Sequence, residues 1–264
     1  MTAFPFERRR RKLRLQAIAG FEMLNRRRRY PGVPAMSTID RSASVASPPL
    51  VAGQRLDRVT FHERYERMPP NTRAELIGGV VHMPSPLSSG HGFVNIPVAY
   101  WIGHYQGSTP GVGGSINASI LLDDLGEPQP DTALLILPGY GGQTHDEGKY
   151  IAGAPELIVE IALSSRSIDL GPKLKDYERV GVREYLVVAL EPDEVFWFVH
   201  REGRYMRLEP SEDGLLRSEV FPGLWLDASA LLRYDIAQLR ASLDRGLASP
   251  EHAEFVERLA RARG

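Results

Sequence analysis

The chain of 264 residues contains no cysteine. This absence excludes disulfide bonds, thiolate metal sites and a cysteine nucleophile, and it leaves the redox compartment undecided. No apolar run approaches the roughly 20 residues that a membrane-spanning helix needs, so we expect no membrane partner. Hydrophobic residues nevertheless make up 42% of the chain, which predicts a folded protein with a buried core.

Charge is distributed unevenly along the chain. Residues 1–35 carry ten Lys or Arg side chains against two acidic ones, although the whole chain has a net charge of −1. The remaining residues therefore hold 22 basic and 31 acidic side chains, a net charge of −9. The overall field of this acidic part would not attract a polyanion, so any nucleic-acid binding requires a local patch.

The Arg-rich segment 1–35 is predicted to lie outside the folded domain. Its composition is typical of a transit peptide or a nucleic-acid-binding arm, but it also fits an untranslated extension upstream of a start at Met36, which we favour. Its apolar stretch is interrupted by Gln16 and Glu22, which argues against a secretory signal, and we expect a cytoplasmic protein.

Residues 36–55 are rich in Ser, Ala and Pro, which predicts a flexible linker. A domain over residues 56–243 and a helical tail over residues 244–264 follow. Within the domain, helical and strand patterns alternate irregularly, which predicts a mixed α/β fold built on one sheet. Gly107 to Gly114 reads as a turn before a strand at 116–122.

Three further segments of the domain position the candidate residues. Gly78-Gly79 separates two β-prone runs, at 74–77 and 80–83, and predicts a tight hairpin. Apolar runs at 132–137 and 157–163 predict buried strands. A helix is predicted over 170–180, with Asp169 as its N-cap and Gly181 at its end.

Two carboxylates are associated with the predicted buried strands. Asp131 immediately precedes the first strand, and Glu160 lies inside the second, between apolar neighbours. A buried carboxylate costs several kcal/mol unless it is paired or binds a metal. Taken singly, Asp131 fits a strand-end turn and Glu160 fits a salt bridge or an edge strand. Their occurrence on successive buried strands favours a shared site.

Lys173 is the candidate cation. Asp169, Lys173 and Tyr177 are spaced four residues apart, so they share one face of a helix whose start points toward the strand end that carries Glu160. An exposed Asp–Lys pair worth about 0.3 kcal/mol is the alternative interpretation. Glu75, just before the Gly-Gly hairpin, supplies a third candidate carboxylate. His91 is a candidate neighbour of the site.

Carboxylates and a lysine at one sheet edge suit phosphodiester hydrolysis. Carboxylate oxygens hold Mg²⁺ while several waters stay on the metal. The metal acidifies a water and neutralises phosphate charge, and a nearby Lys orients the water or stabilises the transition state.

Several motifs together resemble a known family. The segment 74–81 (AELIGGVV) is similar to its E-L-I-x-G hairpin, and Gln129-Pro130-Asp131 is similar to its "PD". The segments 155–161 (PELIVEI) and 181–185 (GVREY), with Lys173 between them, resemble its longest signature. The chain is thereby identified, over about residues 56–235, as a member of the Uma family of restriction-endonuclease-like proteins, within the PD-(D/E)XK nuclease superfamily.

The resemblance implies a restriction-endonuclease-like core, a mixed sheet flanked by helices, with a site dependent on Mg²⁺ or Mn²⁺. It implies Asp131 and Glu160 as metal ligands, Glu75 as a supporting acid and DNA as the substrate. The superfamily motif would place its lysine at position 162, which is Ala162 here, so the lysine role passes to Lys173. A homodimer is expected, because cutting both DNA strands needs two sites.

Two alternatives to an active DNA endonuclease stay open. One is a catalytically inactive binding or scaffold protein that retains the nuclease fold. The other is a hydrolase of RNA or of small phosphodiesters. The endonuclease interpretation requires that Asp131, Glu160 and Lys173 meet in a single pocket.

Overall fold

Alternating apolar side chains build a six-stranded sheet that helices cover on both faces. A computed structural model describes residues 47–84 and 89–263, within a unit spanning Ser47–Gly264. The predicted arm 1–35 and residues 36–46 of the predicted linker lie outside the described residues. None of the described helices is long and apolar enough to cross a membrane.

The helices are α1 (Arg58–Tyr65), α2 (Ser89–Ser108), α3 (Arg166–Ile168), α4 (Leu174–Val180), α5 (Ala228–Leu232), α6 (Ile236–Leu247) and α7 (Pro250–Ala262). The strands are β1 (Glu75–Ile77), β2 (Val80–His82), β3 (Val112–Ile116), β4 (Ile120–Leu121), β5 (Thr132–Ile136), β6 (His145–Glu147), β7 (Tyr150–Ala152), β8 (Leu157–Ala162), β9 (Glu184–Ala189), β10 (Glu194–Arg201), β11 (Arg204–Arg207), β12 (Leu216–Arg217) and β13 (Trp225–Leu226).

The main sheet has the strand order β11-β10-β9-β8-β5-β3. The central pair β8–β9 is parallel, and the other neighbouring strands are antiparallel. The predicted mixed α/β class, a mixed sheet flanked by helices, is therefore confirmed. The expectation of one sheet is wrong, because the described residues form three smaller sheets besides the main one: β1-β2, β12-β13 and β4-β7-β6. The predicted turn over Gly107 to Gly114 is wrong at both ends, because α2 continues to Ser108 and β3, an edge strand of the sheet, begins at Val112. The strand predicted over 116–122 is likewise wrong in extent, because β3 ends at Ile116 and only Ile120–Leu121 form a further strand, β4.

The two faces of the sheet have different neighbours. On β8, Leu157, Val159 and Ile161 pack in the larger core with α2 and the C-terminal helices. Ile158 and Ala162 pack in the second core, with residues of α4. Because side chains alternate along a strand, Glu160 points to this second face.

The helical segment after β8 differs from the prediction. Helical backbone already begins at α3, and Asp169–Lys173 forms a π-helical turn before α4. Pro172 lies inside that turn and has no N–H to donate to a carbonyl four residues back, which is consistent with the widened helix. Asp169 therefore lies within continuous helix and is not its N-cap. Gly181 ends α4 with a φ of +82°, as predicted.

The β1–β2 hairpin forms as predicted. Gly78 and Gly79 connect the strands with φ values of +55° and +75°, which favour glycine. The residues before α1 pack against this hairpin: Leu50 is buried, and the amide of Gly53 donates to the carbonyl of Val81. Residues 47–55 of the predicted linker thus contact the domain predicted to begin at residue 56, through Leu50 and Gly53.

The predicted boundary at residue 243 falls inside α6. Beyond it, α7 buries Phe255 and Leu259 in the larger core. Apolar side chains at helical spacing therefore attach residues 244–263 to the domain. The predicted tail shares the core of the domain.

Glu184 is a buried acid outside the candidate site. Its carboxylate accepts hydrogen bonds from the Ser218 hydroxyl and the Glu219 amide, both at 2.7 Å. Burial raises the pKa of Glu184 to about 7, although the hydrogen bonds from Ser218 and the backbone by themselves lower it. The folded state then holds a proton that the unfolded state releases, so stability is lost as pH rises from about 4.5 to about 7.

We expect Glu184→Gln to remove this part of the pH dependence. Between pH 4.5 and 8 the free energy of unfolding of the wild type should fall by on the order of 3 kcal/mol more than that of the variant, since one pKa unit corresponds to about 1.4 kcal/mol. Urea unfolding at both pH values measures it. Glu209→Gln, at an exposed acid, is the matched control, and equal slopes in wild type and Glu184→Gln would contradict the assignment.

Candidate active site

The strand register places Asp131 beside Glu160. In the antiparallel pair β5–β8, Thr132 is opposite Val159, so the next position outward sets Asp131 across from Glu160. Opposite residues of an antiparallel pair carry their side chains on the same face. The amide of Asp131 lies 3.5 Å from Oε2 of Glu160. Two acids 29 positions apart in the sequence thus become neighbours.

These acids line a cavity of about 350 Å³ on the second face of the sheet. Six titratable side chains of its lining are largely buried, between 2% and 8% exposed: Glu75, His91, Asp131, Glu160, Asp169 and Lys173. They come from the hairpin, α2, the residue before β5, β8 and the π-helical turn. The structure therefore brings together all four residues that the sequence nominated.

Lys173 lies between the carboxylates. Its Nζ donates to Oε1 of Glu160 at 2.9 Å and to Oε1 of Glu75 at 3.2 Å. A third carboxylate oxygen, Oδ1 of Asp169, is 3.7 Å away. The i,i+4 relation of Asp169 and Lys173 is therefore real, but the pair lies in a buried cluster. The alternative of an exposed Asp–Lys pair is wrong, because the second core covers this helix face.

Neighbouring groups orient the two candidate metal ligands. The hydroxyl of Tyr177 donates to Oε1 of Glu160 at 2.9 Å, so that oxygen accepts from both Tyr177 and Lys173. Oδ2 of Asp131 accepts from the amide of Ile161 at 2.8 Å and lies 3.1 Å from Nε2 of His91. Each carboxylate is thus held through one oxygen.

The hairpin is fixed against the segment before β5 and against α4. Oε1 of Glu75 accepts from the amide of Gln129 at 2.7 Å, two residues before Asp131. The carboxylate of Asp176 accepts from the amide of Gly78 at 3.0 Å. These bonds hold Glu75 in reach of Lys173, although β1 belongs to a separate two-stranded sheet.

Electrostatics in the cavity favour an additional cation. Burial raises the pKa of Glu160 well above its ordinary value, and the attraction of Lys173 does not offset this. Burial likewise raises the pKa of Asp169. Burial by itself would lower the pKa of Lys173, but Glu160, Glu75 and Asp169 raise it well above its ordinary value. The site thus holds a protonated lysine that does not fully stabilise the charged forms of Glu160 and Asp169, and a further cation would stabilise them.

The donor set fits a hard divalent cation held partly by water. Within residues 47–84 and 89–263, no three His, Asp or Glu side chains are arranged to hold a metal ion unaided. Mg²⁺ commonly uses one or two carboxylates, with waters and substrate phosphate completing its shell. Oδ1 of Asp131 makes no hydrogen bond to any described residue, and Oε2 of Glu160 has only the long contact to the Asp131 amide. One oxygen on each acid is therefore available.

Asp169 is a residue of the cavity that the sequence predicts only as a helix N-cap. Its carboxylate lines the cavity, and its Oδ2 is buried without a hydrogen-bond partner among the described residues. Its four-residue spacing to Lys173 is the sequence feature that indicates a place beside that lysine. Gln129 contributes through its backbone amide, which no side-chain pattern reports.

A family comparison matches most of this region. The sequence model of the Uma2 family, described as "Putative restriction endonuclease", matches residues 62–229, which is more than half of the chain. The chain belongs to the Uma2 family. The matched residues of this Uma2 chain include every side chain named above as lining the cavity, and the predicted family resemblance is confirmed.

Among solved structures, the Uma2 chain is similar to the crystal structure of "a putative nuclease belonging to DUF820 from Anabaena variabilis ATCC 29413". The TM-score is 0.47 at 14% sequence identity, and the alignment covers 69% of this chain and 97% of the other. No curated protein matches the chain significantly.

Proposed function

We propose that this Uma2-family chain is an endonuclease that hydrolyses DNA phosphodiester bonds with the help of Mg²⁺ or Mn²⁺. The observation that carries the proposal is the convergence of Glu75, Asp131, Glu160 and Lys173 on one cavity. Asp131 and Glu160 would hold the metal through the oxygens that have no strong hydrogen bond. The metal would acidify a water and neutralise charge on the phosphate.

Lys173 acts as a cation and not as a general base. Its raised pKa keeps the amine protonated at neutral pH, so it has no lone pair with which to take a proton from water. A fixed ammonium group can instead stabilise the negative charge that develops on the phosphoryl oxygens in the transition state. Its hydrogen bonds to Glu160 and Glu75 set its position before substrate arrives.

The remaining residues position this group. Glu75 holds Lys173 from the hairpin side, and Tyr177 fixes the orientation of the Glu160 carboxylate. In the reaction, the water oxygen forms a bond to phosphorus as one phosphorus–oxygen ester bond breaks. The water loses a proton, and the leaving alkoxide gains one to become a hydroxyl. The water therefore adds across the broken bond, and no oxidant or reductant is consumed.

Cleavage of supercoiled plasmid tests the proposal. We expect the wild-type chain to nick or linearise plasmid in Mg²⁺ or Mn²⁺ and to leave it intact in excess chelator. Single-stranded RNA and a small phosphodiester, assayed in parallel, distinguish the substrate class. A folded protein that binds neither metal ion and cleaves none of the three substrates would contradict the proposal and favour a non-catalytic binding protein.

A further inference from the structure

Arg73 lies at the cavity beside the candidate active site and has no assigned role. It is exposed, it lines the same cavity as Glu75 and Lys173, and its guanidinium makes no hydrogen bond or ion pair with any described residue. Two arginines of the helical segment after β8 are, by contrast, paired: Arg166 contacts Glu194, and Arg179 contacts Asp176. Arg73 therefore retains its hydrogen-bonding capacity for a ligand.

The hairpin places Arg73 toward the cavity. Arg73 precedes Glu75 by two positions, and side chains two apart on extended backbone point to the same side. The intervening Ala74 and the following Leu76 are fully buried in a separate core with α1. One side of this segment thus packs inward while the other carries an exposed cation and then a buried carboxylate.

Charge in the cavity calls for a cation at this point. Lys173, the other Lys or Arg that lines the cavity, is already shared by three carboxylates. His82 also lines the cavity, but burial lowers its pKa, so it is neutral at pH 7 and attracts no anion. The proposed metal would offset this repulsion at the cleaved phosphate, but a neighbouring phosphate also needs a cation to offset its repulsion by the acids.

We propose that Arg73 binds a backbone phosphate of the nucleic acid next to the phosphate that is cleaved. A guanidinium offers five donors in a planar fork that matches two phosphate oxygens, and this geometry fixes orientation as well as charge. Arg73 then anchors the strand beside the cavity, through a contact that is made alike in the bound complex and in the transition state at Asp131 and Glu160. This inference rests on the proposed function.

The test compares Arg73→Ala and Arg73→Lys with Arg67→Ala, a matched control at an exposed arginine outside the cavity lining. Fluorescence anisotropy of the full chain with a labelled 20-base-pair duplex, in chelator, gives Kd and its salt dependence. We expect Arg73→Ala to weaken binding about tenfold, as for loss of a charged hydrogen bond, and to lower the salt slope by about 0.9. Arg73→Lys should keep the wild-type salt slope but bind DNA more weakly, because lysine retains the charge and lacks the planar set of guanidinium donors.

Plasmid cleavage in Mg²⁺ separates this inference from the proposed function. Arg73→Ala should raise KM about tenfold and change kcat less than threefold, because the lost contact is made equally in the ground and transition states. If wild type binds and cleaves DNA but Arg73→Ala behaves like Arg67→Ala, the inference is wrong and the proposed function stands. If wild type neither binds nor cleaves DNA, both are overturned.

Discussion

Asp131→Asn should lower the single-turnover rate of DNA cleavage by at least about 100-fold. The amide has nearly the shape of the carboxylate and can still accept from the amide of Ile161 through one oxygen, so the strand pairing should survive. It lacks the negative charge that a Mg²⁺ ligand supplies, and loss of one preorganised electrostatic group typically costs about 10²–10³ in rate.

Excess enzyme over a labelled duplex in Mg²⁺ provides the measurement. Asp146→Asn, at an exposed acid of β6, is the matched control and should cleave at the wild-type rate. Far-ultraviolet circular dichroism and thermal melting verify that both variants fold. Equal rates for Asp131→Asn and wild type would show that Asp131 takes no part in the reaction.

Lys173→Met should destabilise the metal-free protein by about 3–5 kcal/mol. Removing one partner of a buried ion pair leaves an uncompensated buried charge, which is the source of a cost of this size. Here Glu160, Glu75 and Asp169 all lose their common cation. Lys175→Met, at an exposed lysine on the same helical segment, should change stability by less than about 0.5 kcal/mol.

Two further results would identify the unpaired carboxylates as the cause. Adding Glu160→Gln to Lys173→Met should recover part of the lost stability. The destabilisation should also be smaller at pH 5 than at pH 8, because an acid whose pKa is raised on folding stabilises the folded state at low pH and loses that contribution as pH rises. Urea unfolding in chelator measures all four proteins. A pH-independent loss with no recovery would indicate a packing defect in place of a charge effect.

The sequence predicted those features of the site that depend on local pattern. The Gly78-Gly79 hairpin, the end of α4 at Gly181 and the two buried strands each follow from residue types within a short window. Both strands end one residue earlier than predicted. The placement of a carboxylate on each buried strand was also visible, because such residues need a partner or a metal.

The features that sequence could not supply depend on pairing between distant segments. The register of β5 against β8, which sets Asp131 opposite Glu160, follows from the packing of the whole sheet and not from either strand. The position of Glu75 depends on the bond from the Gln129 amide, which joins the β1–β2 hairpin to the segment before β5. A helix start read from Asp169 failed because a capping residue and a buried acid look alike in sequence.

Two glycines of β3 explain why the predicted turn is wrong in that segment. The Gly-rich segment before residue 116 was read as a turn, since glycine is common in turns. In the structure, Gly113 and Gly114 lie in β3, where an added Cβ would come within 2.8 Å of Leu137 and 2.7 Å of Gln106, respectively. These glycines serve close packing of the edge strand, a requirement that arises only once the neighbouring segments are in place.

A crystal structure of the chain soaked with Mn²⁺ tests the central claim most directly, through the anomalous signal of the metal. We predict one ion in the cavity, bound by a side-chain oxygen of Asp131 and one of Glu160 at about 2.0–2.2 Å, with waters in the remaining positions. Lys173 should remain between Glu160 and Glu75. A cavity without the ion at millimolar Mn²⁺, or an ion bound elsewhere with both acids uninvolved, would contradict the account.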